Sequence, residues 1–177
     1  CEVFAIREHG QIGFTGALPA ASGELNLVNA GWIRSQSAGA RDGGSIAVSA
    51  GNITIDSGYS YDYTGIFSLA YPDANAGMVN VRAGSIAITG QGSVGYPAGI
   101  FSQAWGGSGN AGNVEVSTTG SISLVNGGQI SADTFSDGNA GKVTVHAGSI
   151  SIDGQGSYVY TGYGYGYTGI LSNANKG

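Results

Sequence analysis

The side chains with the widest scope for recognition are the tyrosines, and all ten but Tyr71 stand in one kind of stretch. Tyr59, Tyr61 and Tyr63 lie in DSGYSYDYTG, Tyr96 in TGQGSVGYPAG, and Tyr158, Tyr160, Tyr163, Tyr165 and Tyr167 in DGQGSYVYTGYGYGYTG. A phenol joins an apolar ring to a polar tip, so a cluster of them suits sugar rings, a solid surface or a neighbouring filament. The same residues also suit loops that fold back over a scaffold with alternate rings turned inward. Composition leaves both uses open.

Catalytic chemistry is harder to assemble. Lyases and hydrolases of polysaccharides need clustered carboxylates for a cation or for acid–base work, and lyases a basic residue nearby. Asp133 and Asp137 read as loop residues without a basic partner, and no nucleophile triad, phosphate loop or calcium-binding nonapeptide is present. His9 in Arg-Glu-His-Gly and the isolated His146 read as solvated side chains. Cys1 is the only cysteine, so no internal disulfide or multi-cysteine metal site can form. At the first position it marks either a lipidated mature terminus or an arbitrary start. The expectation is a chain without enzymatic activity, metal or cofactor, the alternative being an accessory part of a polysaccharide-active enzyme.

Composition narrows the partners. Six Lys and Arg against 11 Asp and Glu give a net charge of −5, which argues against nucleic acid, since that binding needs clustered cations. Charged residues are 10% and hydrophobic residues 41%, so the chain is not a charge-rich disordered one. No run approaches the ~20 apolar residues of a membrane helix. Few Lys and one Cys beside abundant Gly, Ser, Asn and Thr fit an extracellular location.

A repeat holds these residues in place. NAGKVTVHAGSISI at 139–152 recurs as NAGNVEVSTTGSISL at 110–124, NAGMVNVRAGSIAI at 75–88 and, loosened, DGGSIAVSAGNITI at 42–55. Each copy reads turn, V-x-V, turn, I-x-I, a period of two too short and too Gly-bounded for helix. A third strand follows as Gly65-Ile-Phe-Ser68, Gly99-Ile-Phe-Ser102, Gly128-Gln-Ile-Ser131 and Gly169-Ile-Leu-Ser172. Coils therefore start near Asp42, Asn75, Asn110, Asn139 and Asn175, with better repeats over 23–177 and a weak, irregular start of coil over 1–22.

Three strands and three corners per coil predict an all-β, right-handed, three-sided parallel β-helix of roughly five to six coils, uncapped at both ends. Like residues stack as columns: Ile46/Val79/Val114/Val143, Val48/Val81/Val116/Val145, Ile53/Ile86/Ile122/Ile150 and Ile55/Ile88/Leu124/Ile152. On the third strand the expected inward column is Phe67/Phe101/Ile130/Leu171, with Ile33 below. Ile66, Ile100 and Ile170, with Trp32 and Gln129, then form an outward apolar stripe for lateral contact, unless Ile turns inward and Phe outward. Asn75, Asn110, Asn139 and Asn175 recur at one corner and predict a stacked amide ladder, or one turn satisfied at a time. The Tyr stretches occupy the corner between second and third strands. Asp56 and Asp153 share that corner but lie three coils apart, roughly 14 Å, too far for a paired site. Arg82 is expected to pair with Glu115 one coil away.

The run GSISLVNGGQISADTFSDGNAGKVTVHAGSISIDGQGS, with TGIFS and TGILS, resembles the repeat shaft of filamentous-haemagglutinin-like exoproteins, large adhesins exported by two-partner secretion. The likeness covers about 23–177 well and 1–22 weakly. It implies a right-handed β-helix on a bacterial cell surface, whose partners are the continuation of a longer chain, further copies packed end to end or side by side, or glycans and surfaces. The secretion domain of that family is not recognisable in this sequence, and the Tyr-Gly stretch at 158–168 exceeds what the family phrasing needs.

Overall fold

The computed structural model describes residues 23–39, 41–60, 62–91, 98–154, 159–161 and 164–175; the expected irregular start over 1–22 lies outside them. Among the described residues there is no helix, and parallel sheets wind into a β-solenoid of about three turns. The strands in chain order are β1 (Glu24–Val28), β2 (Trp32–Ala38), β3 (Ile46–Asp56), β4 (Thr64–Tyr71), β5 (Val79–Thr89), β6 (Ala98–Trp105) and β7 (Val114–Thr118). There follow β8 (Ser121–Val125), β9 (Gly128–Phe135), β10 (Val143–His146), β11 (Ser149–Asp153), β12 (Val159–Thr161), β13 (Gly164–Gly166) and β14 (Gly169–Leu171).

The V-x-V and I-x-I runs are not always separate. β3 and β5 each carry both as one strand of 11 residues, paired through Ala50–Ala83 and resuming at Asn52–Ser85. In the next coil the same ladder divides, β7 and β8 both pairing with β5, and β10 and β11 continue above them. Glycine explains the shared bend. Gly84 faces Gly51 so closely that a Cβ on it would collide with the Gly51 carbonyl.

The four inward columns form in the expected register, with Leu25 and Leu27 placed under Ile53 and Ile55. Ile55, Ile88 and Leu124 are wholly buried. Each such side chain contributes about 1.5–3 kcal/mol by leaving water. In the last rank of this wall Ile150 and Ile152 remain 46% and 48% exposed.

The third wall, in the order β14-β9-β6-β4-β2, corrects two expectations. Its inward column is Ile33–Ile66–Ile100–Ile130–Ile170, and the phenylalanines point out. β9 also sits one residue from the expected alignment, since Gln129 and not Gly128 lies opposite Gly99. A one-residue slip would exchange the faces of the whole strand, and the register that keeps Ile130 in the apolar column wins. Ile66 and Ile100 are therefore wholly buried core residues, Ile170 packs on the same core, and none belongs to a lateral stripe. Trp32 is in the preceding register position, 44% exposed, with the Arg34 guanidinium 4.1 Å from its ring centre.

At the corner after the third strand, the amide ladder forms from Asp42 to Asn139. Asn75 Nδ2 donates to Asp42 Oδ1 at 3.0 Å, Asn110 Nδ2 to Asn75 Oδ1 at 2.8 Å and Asn139 Nδ2 to Asn110 Oδ1 at 3.2 Å. Each Oδ1 also accepts the backbone N–H of the residue above. Asn175 is not a rung. Its N–H donates to Thr134 O, and its neighbour Ala174 bridges to Thr134, so it extends the third wall. Beside the ladder, Gly77, Gly112 and Gly141 each face the carbonyl of the glycine one coil below. Close approach, not positive φ, requires glycine there. Ser68 and Ser102 then tie wall to corner, accepting from Gly77 N and Gly112 N at 2.8 and 2.9 Å.

Candidate functional site

The expected tyrosine patch divides. Tyr59 is 91% and Tyr167 54% exposed. Tyr63 turns inward, its ring centre 5.5 Å from both Phe67 and Phe101. Tyr160 and Tyr165 are register partners in the antiparallel strand pair β12–β13. Tyr61, Tyr96, Tyr158 and Tyr163 lie outside the described residues. Of the two uses the sequence left open, Tyr63 adopts the shielding one.

What it shields is the outward surface of β4, β6 and β9. All their side chains are buried except the last residue of each, Tyr71, Trp105 and Phe135, which are half-buried. The register places Phe67, Phe101 and Ser131 in one row, Leu69, Gln103 and Asp133 in the next, and Trp105 with Phe135 in a third. Phe67 and Phe101 stack at 4.8 Å between ring centres, with planes 3° apart, and Trp105 stacks on Phe135 at 4.0 Å. Gln103 and Asp133 thus lie between the Phe67–Phe101 and Trp105–Phe135 pairs.

Asp133 sits on strand β9, not in the expected loop. Its Oδ1 accepts from both the backbone N–H and the side-chain amide of Asn173 at 3.0 Å, which fastens the chain after β14 to the wall. Burial pushes its carboxyl above the ordinary value, while hydrogen bonds from Ser131, Asn173 and Gln103 pull partly back. Of these hydrogen-bonding pulls the largest comes from Ser131. Gln103 Oε1 is buried without a partner.

No family model matches this sequence, and no curated protein or solved structure matches it.

The remaining polar residues are dispersed. Asp56 and Asp153 are separated by Thr89 and Val125 in one column, so the expected three-coil distance holds. Glu115 accepts from the Asn80 amide at 3.0 Å, while Arg82 stands opposite Ser117; the expected Arg82–Glu115 pair is replaced by this contact. Among the described residues, no three of His, Cys, Asp and Glu converge on a common point, and no helix is long and apolar enough to cross a membrane. The Gln103–Ser131–Asp133 grouping escaped the sequence reading because an acid in ADTFSDG reads as a turn. The signal was there: in GQISADTF, Gln, Ser, Asp and Phe alternate with Ile, Ala and Thr at a period of two.

Proposed function

We propose that this chain is a non-enzymatic structural and adhesive shaft of a bacterial surface or secreted exoprotein, of the filamentous-haemagglutinin type exported by two-partner secretion. In this reading the solenoid is right-handed and roughly five to six coils long, stands outside the cell, and serves adhesion or matrix. The observation that carries it is the in-register stacking of like on like, coil over coil, from the Ile and Val columns to the ladder of Asn75, Asn110 and Asn139. Each coil touches chiefly its neighbours above and below, an arrangement that gives length and stiffness. A further rank, from the same chain or another copy, would bury Ile150 and Ile152.

Electron microscopy and diffraction of the purified chain test the reading. Rods or filaments with a meridional repeat of about 4.8 Å are expected, and a proline placed within Val143–Val145 removes a ladder donor and should stop their growth. Particles that remain monomeric at every concentration overturn the fibre. Hydrolysis of a polysaccharide, abolished by changing one acid, overturns the non-enzymatic assignment.

A further inference from the structure

β3 departs from the repeat at one point in a way that folding does not require. Three coils read Ser85-Ile-Ala87, Ser121-Ile-Ser123 and Ser149-Ile-Ser151, whereas β3 reads Asn52-Ile-Thr54. The positions are equivalent, since Asn52 stands opposite Ser85 and Thr54 opposite Ala87, and Ser123 and Ser151 continue the second row. Serine and alanine build this wall equally well. The two departures together spell Asn-x-Thr, the acceptor sequence for a sugar on an asparagine amide, and no other Asn in the chain is followed two residues later by Ser or Thr.

The geometry agrees with the sequence. Residues two apart on a strand share a face, and Asn52 and Thr54 are both exposed while Ile53 and Ile55 are buried. Glu24 and Ser85 flank Asn52, and Asn26 and Ala87 flank Thr54, so no large side chain overhangs the pair from the adjoining strands. Asn52 Oδ1 accepts from Ser85 Oγ at 2.8 Å. Among the described residues its Nδ2, the atom that would bear a sugar, donates to nothing.

We propose that Asn52 is a modification site that carries an N-linked sugar. The donor is a sugar activated by phosphate at its anomeric carbon. A bond forms from Asn52 Nδ2 to that carbon, the carbon–oxygen bond to phosphate breaks, and one amide proton leaves with the departing phosphate. The product keeps Oδ1 and one N–H, so the hydrogen bond from Ser85 survives. β3 is paired on both edges, by β1 and β5, so its backbone is closed to an enzyme once the wall has formed. The sugar is therefore added to the unfolded chain and then stands on the finished wall, bulky and solubilising, where it bars sideways packing and leaves the ends free to stack. The inference rests on the exoprotein reading for this purpose alone. A chain without sugar would still form rods, and a chain that never forms rods would still carry sugar, so the two fail separately.

Mass spectrometry of the chain isolated from the cells that make it tests the proposal. The tryptic peptide between Arg41 and Arg82 should be heavier by at least one sugar, with fragmentation placing the gain on Asn52 and not on Asn75 or Asn80. A gain of one sugar identifies a nucleotide-linked donor, and a gain of a whole oligosaccharide a lipid-linked one. Asn52→Gln and Thr54→Ala should each abolish the gain. Thr54→Ser, which keeps the hydroxyl, and Ser85→Ala, which removes only the hydrogen bond, should retain it. The melting temperature of Thr54→Ala should match that of the natural sequence made without sugar, so that its loss of modification is not a loss of fold. An Asn52 that is bare in the isolated chain, a gain that survives Thr54→Ala, or a gain on another residue of this peptide in place of Asn52 overturns the proposal.

Discussion

Two walls of this solenoid are built from strands of the same kind and treat water in opposite ways. Along β3 and β5 the outward residues, such as Thr54, Ala87 and Arg82, meet solvent while Ile53, Ile55, Ile86 and Ile88 are buried. Along β4, β6 and β9 both faces are buried, Ile66, Ile100 and Ile130 in the core and Phe67, Phe101 and Asp133 on the outside. The first wall needs its neighbours only for the stack. The second also needs a cover, to which Tyr63 contributes. A polar group on the first wall is satisfied by water at little cost, whereas one on the second must find a partner, and that is why Gln103, Ser131 and Asp133 stand out there.

The contrast is most directly broken by removing a ring. Phe101→Ala should cost about 3–5 kcal/mol, in the range for deleting a buried Phe, while the outward Thr54→Ala on the first wall should stay within about 0.5 kcal/mol. Denaturant midpoints of the two variants measure this. Equal, small losses would mean that the third wall is open to water.

A smaller effect belongs to the corner that both walls share. Gly112→Ala puts a Cβ against the Gly77 carbonyl and should cost about 1–3 kcal/mol, as overpacking does. Replacing Gly39, with open space around its Cβ position but a φ of 101°, costs through backbone strain alone. Thermal unfolding of Gly112→Ala beside Gly112→Ser should show a loss that grows with side-chain size. The ladder comes next. Asn110→Ala removes a rung that both donates to Asn75 and accepts from Asn139, and should cost about 1–2 kcal/mol. Asn175→Ala, outside the ladder, should cost less in the same melting assay.

The gentlest test titrates the covered wall. Because burial raises the Asp133 pKa, the folded chain holds that proton more tightly than the unfolded one, whose ordinary value is 3.8. The stability this contributes is fully present below that value and is lost as pH rises through the folded value. Asp133→Asn keeps an oxygen for Asn173 and carries no charge. Its melting temperature should exceed that of the natural chain at neutral pH, and the advantage should vanish as pH falls below 3.8. An advantage that persists in acid would assign the effect to something other than the buried carboxylate.

Much of this was legible in the repeat. The four Val and Ile columns and the rungs at Asn75, Asn110 and Asn139 follow from spacing, because a residue that recurs once per coil must stack on its like. The third wall was not. In G-I-F-S two adjacent apolar residues compete for one inward place, and period two fits either choice. The lateral stripe through Ile66, Ile100 and Ile170 and the rung at Asn175 fail for the same reason, a frame displaced by one or a few residues.

The sequence by itself determined that the chain coils, which residues stack, and where corners must be small. Those properties are local and repeated, so each copy of the motif states them again. Only the tertiary structure decided which side of the third wall faces the core, and that its other side is covered. The register of β9 against β6 and the turn of Tyr63 onto Phe67 and Phe101 are choices between nearly equal local options. Burying Ile130 with its column and two stacked rings under a third settles them, and the same burial makes Asp133, Gln103 and Ser131 chemically distinct.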